Sequence, residues 1–262
     1  MKSSHSIKMV NIFFLVLALS FSYKSFAGLI DFETTANGST PLDNGIINID
    51  DTFMADGVSV KFGFDTNGDG EIDSHGVFES VGGGKEGGNS GFMSSYGNSY
   101  DIAATGSESL LGDFFLRQKN AYKPFGTFHI IYDALNPVTS ASGEIWDIDG
   151  NNNKNKTEQF FVEAFNGELS LASILSPLGN TSGINSLDGK PWAFGFSDLS
   201  NITRIEISFT GSKNNGIGLA FNNFSPIEDI SARTNSVPEP STLIIFSLGI
   251  IGLALRRYRK AT

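Results

Sequence analysis

"VSVKFGF" (residues 58–64) places Val58, Val60, Phe62 and Phe64 at alternate positions, with Ser59, Lys61 and Gly63 between them. A side-chain period of two is that of an extended strand with one face buried and the other near water. "RIEISFTG" (204–211) repeats the pattern, with Ile205, Ile207 and Phe209 inward and Arg204, Glu206, Ser208 and Thr210 outward. The same period fits "FGTFHIIYD" (125–133), "SGEIWDID" (142–149), "EQFFVEAF" (158–165), "PWAFGF" (191–196) and "GLAFNNF" (218–224). Asn67-Gly68, Asp69-Gly70, Asn166-Gly167 and Asp188-Gly189 punctuate these runs as turns. Many short strands at this spacing predict an all-β fold: an antiparallel two-sheet β-sandwich, jelly-roll-like, over residues 28–229. The glycine-rich "VGGGKEGGNSGFMSSYGNS" (81–99) reads as a surface loop, and residues 230–236 as a linker. Trp146 and Trp192 read as core aromatics.

Composition narrows the function. Residues 28–236 hold 11 of the 18 basic and 27 of the 28 acidic residues, a formal charge near −16. Such a surface repels phosphate backbones and anionic lipids, so no nucleic-acid partner is expected. Cysteine is absent, which removes disulfides, thiol catalysis and Cys-ligated zinc together.

The two ends of the chain read as transport signals. Residues 1–27 combine Lys2 and Lys8, the apolar run "VNIFFLVLALSF" and small residues at Ser25 and Ala27, the pattern of a signal peptide cleaved after Ala27. At the other end Val237-Pro238-Glu239-Pro240 precedes the uncharged segment Leu243–Leu255, then Arg256, Arg257, Tyr258, Arg259 and Lys260. Helical, that segment spans only about 20 Å against a hydrocarbon core of about 30 Å, a transient membrane anchor rather than a permanent one. The basic cluster behind it is the charge that stays on the cytoplasmic side.

These three parts, in this order over residues 237–262, resemble the PEP-CTERM sorting signal of exopolysaccharide-producing Gram-negative bacteria, also known as the ice-binding protein C-terminal domain. The resemblance implies export by the secretion machinery, transient anchoring through a helix at 243–255, and processing by an exosortase at Pro238, Glu239 and Pro240. Arg256, Arg257, Arg259 and Lys260 act as the basic stop. The destination it implies is the cell surface or extracellular matrix. The segments 143–165, "SLDGKPWAFGF" (186–196) and "GIGLAFNNFSP" (216–226) resemble blocks of other PEP-CTERM cargo proteins without established activity.

Two acidic stretches are candidate cation sites. In "DTNGDGEID" (65–73), Asp65, Asn67, Asp69 and Asp73 alternate and Gly70 follows the third, as at the start of EF-hand and dockerin calcium loops, with Glu71 offering its backbone carbonyl. The twelfth position, where a bidentate carboxylate belongs, is Gly76, and Glu79 stands three residues late. A solvated hairpin accounts for the same residues. Asp147 and Asp149, on one face of a strand, are the alternative contacts for a cation or a sugar. Calcium is the one cofactor expected.

No catalytic residue is assigned. Only His75 and His129 lie beyond the signal peptide, and no G-x-S-x-G, H-E-x-x-H or P-loop pattern occurs. The sequence therefore predicts a non-enzymatic extracellular or cell-surface protein associated with exopolysaccharide. The alternatives are a lectin-like carbohydrate-binding module and, through an unassigned carboxylate pair, a polysaccharide hydrolase.

Overall fold

The computed structural model describes residues 28–82, 103–119, 126–151, 156–179, 187–214, 217 and 220–228. The signal peptide, the 230–236 linker, the sorting tail with its helix 243–255, and residues 83–99 of the glycine-rich loop lie outside the described residues.

Two six-stranded sheets, each antiparallel throughout, carry nearly all of the regular secondary structure among the described residues. Numbered along the chain, one sheet runs β1 (Ile46–Ile47), β4 (Gly76–Ser80), β5 (Phe114–Gln118), β14 (Ala220–Glu228), β7 (Val138–Trp146) and β12 (Pro191–Phe196). The other runs β11 (Leu169–Leu175), β10 (Phe160–Asn166), β13 (Arg204–Phe209), β6 (Thr127–Asp133), β3 (Val58–Asp65) and β2 (Phe53–Ala55). A short ladder pairs β8 (Gly150–Asn151) with β9 (Lys156–Thr157), and α1 (Glu108–Leu111) is a single helical turn. Consecutive strands alternate between the sheets from β5 to β7 and again from β11 to β14. One core is therefore assembled from distant parts of the chain.

The alternation in β3 behaves as the sequence requires: Val58, Val60, Phe62 and Phe64 are all buried against the facing sheet. Ile205 and Ile207 are buried and Phe209 packs at the core's margin. Phenylalanine joins the layers. Phe128 on β6 lies 4.5 Å from Phe221 on β14, and Phe62 on β3 lies 5.2 Å from Phe224 (ring centroids). Phe32, ahead of β1, sits edge-on to Phe62 at 5.2 Å and to Phe224 at 6.0 Å. Such aromatic contacts add to the burial of large apolar side chains.

One expectation needs correction. Strict alternation fails in "GLAFNNF", because Phe221 and Phe224, three residues apart, both enter the core. A bulge reconciles them: Asn222 pairs with Glu144 and Ser225 with Ser142, leaving two residues of β14 opposite Gly143 alone. Asn223 takes up the extra residue with φ near +55°, a conformation asparagine tolerates better than most residues. Gly143 makes room, since a Cβ there would lie 2.4 Å from the Phe224 ring. Trp146 is a core aromatic as expected, fully buried in a second, smaller cluster with Leu111, Phe115, Ala103 and Ala220. Trp192 packs, partly buried, against the main core.

Phe128→Ala should cost about 3–5 kcal/mol, the usual range for emptying a buried aromatic site. Chemical denaturation is expected to show a lower midpoint at an unchanged denaturant slope.

Candidate functional site

The "DTNGDGEID" loop leaves β3 and folds back on it. Phe64 and Ser74 form a bridge, and Ile72 packs so close over Gly63 that a Cβ there would lie 2.3 Å from it. Gly68 and Gly70 both adopt positive φ, as the tight turns demand. The loop's carboxylates are met by its own donors. Asp65 accepts from the backbone N–H groups of Asn67 (3.2 Å), Gly68 (2.6 Å) and Gly70 (2.9 Å). Asp73 accepts from Thr66 N–H and Oγ1 and from Asn67 N–H, while Asp69 accepts from Glu71 N–H and the Asn67 side chain. Burial alone would push the Asp65 carboxyl up, but these three N–H groups hold it below the usual carboxylate range. Glu79 points its chemistry elsewhere, as the buried ion-pair partner of Arg117.

The second stretch gathers more charge than the sequence suggested. Asp147, Asp149 and Asp188 each bring a carboxylate oxygen within 4.8 Å of the others, the one such trio of metal-ligating side chains among the described residues. Asp147 and Asp149 do not share a strand face as the sequence predicts: β7 stops at Trp146, and Asp147 just beyond it takes φ near +66° and accepts from Gly189 N–H at 2.8 Å, which ties the strand end to the Asp188-Gly189 turn. Glu158, fully buried, accepts from Asp149 N–H at 3.2 Å. The Lys213 ammonium lies 2.8 Å from both Asp149 and Glu158 and offsets part of their charge.

Sequence reasoning found Asp147 and Asp149, and marked Asp188 only as a turn residue. It missed Glu158, nine residues past Asp149 in the same stretch, and Lys213, because only the fold brings either side chain to the aspartates.

Electrostatics follow from the packing. Burial pushes the Asp147 carboxyl well above the usual range, and Asp149 and Glu158 push it further. Burial also raises Asp149, against the pull of Lys213, and pushes Glu158 up to about 8. Lys213 stays charged, since the two carboxylates more than offset its own desolvation. The cluster can thus hold protons near neutral pH, or exchange them for a hard divalent cation with oxygen ligands. His129, on β6, is buried, and its desolvation favours the neutral ring.

Residues 236–260 match the family model for the PEP-CTERM protein-sorting motif. The chain therefore carries a signal for export and exosortase processing toward the cell surface. No curated protein matches it. Among the described residues no helix is long and apolar enough to cross a membrane.

The raised carboxyls predict a pH dependence. Unfolded, these groups release their protons near pH 4; folded, they keep them to higher pH, so stability falls as pH rises from about 4 to about 8. Asp65 acts oppositely, its stabilisation being lost as pH falls below the ordinary Asp value. Urea unfolding in chelator should give a lower stability at pH 8 than at pH 5, by more than about 1.4 kcal/mol, the equivalent of one pKa unit. Asp147→Asn should flatten that slope.

Proposed function

We propose that this is an exported, non-enzymatic protein of the cell surface or extracellular space, processed by an exosortase and associated with the exopolysaccharide matrix. The observation that carries the proposal is the sorting motif at residues 236–260, placed behind an acidic β-sandwich. A domain with a formal charge near −16 and no cysteine suits an oxidising exterior where neither disulfides nor phosphate-rich partners are needed. The motif's physical task is timing: a short apolar segment holds the chain at the membrane long enough for cleavage, and the basic residues keep its end inside. Replacing Pro238, Glu239 and Pro240 together with alanine should leave uncleaved precursor in the membrane fraction. Release of the triple variant with the wild-type C-terminus would overturn the sorting role.

Calcium suits the Asp147, Asp149 and Asp188 trio better than the 65–73 loop, whose carboxylates already accept the loop's own N–H groups. An ion there would be structural, joining the end of β7 to the turn before β12. At calcium about tenfold above its Kd the folded state gains about 1.4 kcal/mol, a rise in melting midpoint of ~2–4 °C. Thermal unfolding in millimolar calcium and in chelator should show that rise for wild type and for Asp69→Ala, and its loss in Asp188→Asn. Loss in Asp69→Ala instead would return the ion to the loop.

A further inference from the structure

A cleft of about 480 Å³ opens on the side of the β14–β7–β12 sheet away from the main core, within the usual range for small-molecule sites. Its floor follows from the bulge. With Phe221 and Phe224 both inward, Asn222 and Asn223 line the cleft beside Glu144 of β7 and Ala193 of β12. Its walls are the α1 turn and the segment 29–33, which bonds to β14 through Ile30 and Phe224 at 2.7 and 3.0 Å.

The polar groups are held in place by the fold. Asn222 Nδ2 donates to the Leu111 carbonyl at 2.8 Å, and Asn223 Nδ2 donates to the Leu110 carbonyl at 3.0 Å and to Glu144 Oε2 at 2.8 Å. Trp146 Nε1 donates to the same Glu144 oxygen at 3.0 Å. Glu33 Oε1 accepts from the N–H groups of Asp113 and Phe114. Asn222 is 1 % exposed, and its Oδ1 has no hydrogen-bond partner within the described protein. The Leu111 carbonyl fixes the amide's orientation, because it can accept only from Nδ2. A buried acceptor left without a donor is costly, so the site is built for a group that donates to it.

What remains on offer is mostly acceptor: the carboxylates of Asp31, Glu33 and Glu144, with the unpartnered Asn222 oxygen buried in the floor beneath them. No basic side chain among the described residues lines the cleft. The three carboxylates do not converge as a cation site would require. Leu29 and Leu110, both half exposed, give the cleft an apolar margin. An acceptor-rich, acidic cleft with an apolar margin matches a ligand whose hydroxyls donate and whose C–H face packs on leucine. It repels anionic groups.

We infer that this cleft is a binding site for a neutral, hydroxyl-rich glycan and excludes uronic-acid and sulfated sugars. The inference deepens the matrix-associated reading and rests on it only for the ligand's setting, since the acceptor chemistry belongs to the domain whatever happens to the tail.

The test is titration of the full-length chain, in a detergent without a sugar headgroup, with lactose, maltose and cellobiose. Galacturonate and glucosamine oligomers serve as the anionic and cationic arms. At least one neutral disaccharide should bind at millimolar or lower Kd, and the galacturonate oligomer should bind at least about tenfold more weakly. Asp31→Asn should weaken the neutral sugar by about tenfold or more, as expected for loss of a charged hydrogen-bond acceptor. Ala193→Trp fills the cleft from an exposed position and leaves the hydrogen bonds above intact, so it should abolish binding while the melting midpoint stays within a few degrees of wild type. No neutral binding at tens of millimolar, equal binding of galacturonate, preference for glucosamine alone, or unchanged binding in Ala193→Trp would each overturn the site. Those failures leave the exosortase result standing, and a tail that is not processed leaves a positive titration standing.

Discussion

Contact between phenylalanines of the two sheets is the interaction on which the rest depends. The sandwich has no cysteine, so nothing covalent joins its layers. Phe62 and Phe128 on one sheet meet Phe221 and Phe224 on the other at 4.5–6.0 Å between centroids, with Phe32 closing one end. Both β14 phenylalanines must face inward to complete that core, and a regular strand cannot turn residues three apart to the same side. The bulge at Asn222–Ser225 resolves the conflict. Its by-product is a pair of asparagines on the opposite face, where the chain also places Glu144 and the α1 turn. The core's geometry thereby shapes the surface cleft.

The acidic cluster shows how a sandwich tolerates charge at the end of a buried strand. Asp147 lies just past the end of β7, 5 % exposed, and one carboxylate oxygen serves the Gly189 N–H. Glu158 and Asp149 share a lysine that approaches from the segment after β13. Burying such groups unneutralised is prohibitive, and Lys213 and bound protons offset their charge. Proton and lysine therefore share the neutralisation of these carboxylates, and pH acts through the same residues.

The 65–73 loop illustrates the opposite economy. Its carboxylates lie at the surface end of β3 and find donors within nine residues of sequence. Asp65 needs no distant partner because three N–H groups converge on it, two from glycines whose positive φ turns them there. A sequence that resembles a calcium loop at its start also closes on itself as a hydrogen-bonded turn.

The sequence by itself determined what depends on neighbours along the chain. Period two in "VSVKFGF" and "RIEISFTG" specified strands and their inward faces, because alternate side chains of an extended backbone point oppositely whatever lies beyond. The order of Pro238-Glu239-Pro240, apolar segment and basic end was likewise legible, since a sorting signal is read as a linear string. Tertiary structure alone decided the rest. Asp188 and Lys213 reach Asp147 and Asp149 only because segments distant in the chain end at one place, and Glu158 because the chain folds back there to bond Asp149. "FNNF" broke its period because both of its phenylalanines answered to the facing sheet, while Trp146 joined the smaller cluster around Leu111 and Phe115. The cleft was invisible for the same reason: Leu29–Glu33, α1 and β14 are remote in sequence, and only packing makes them walls of one space.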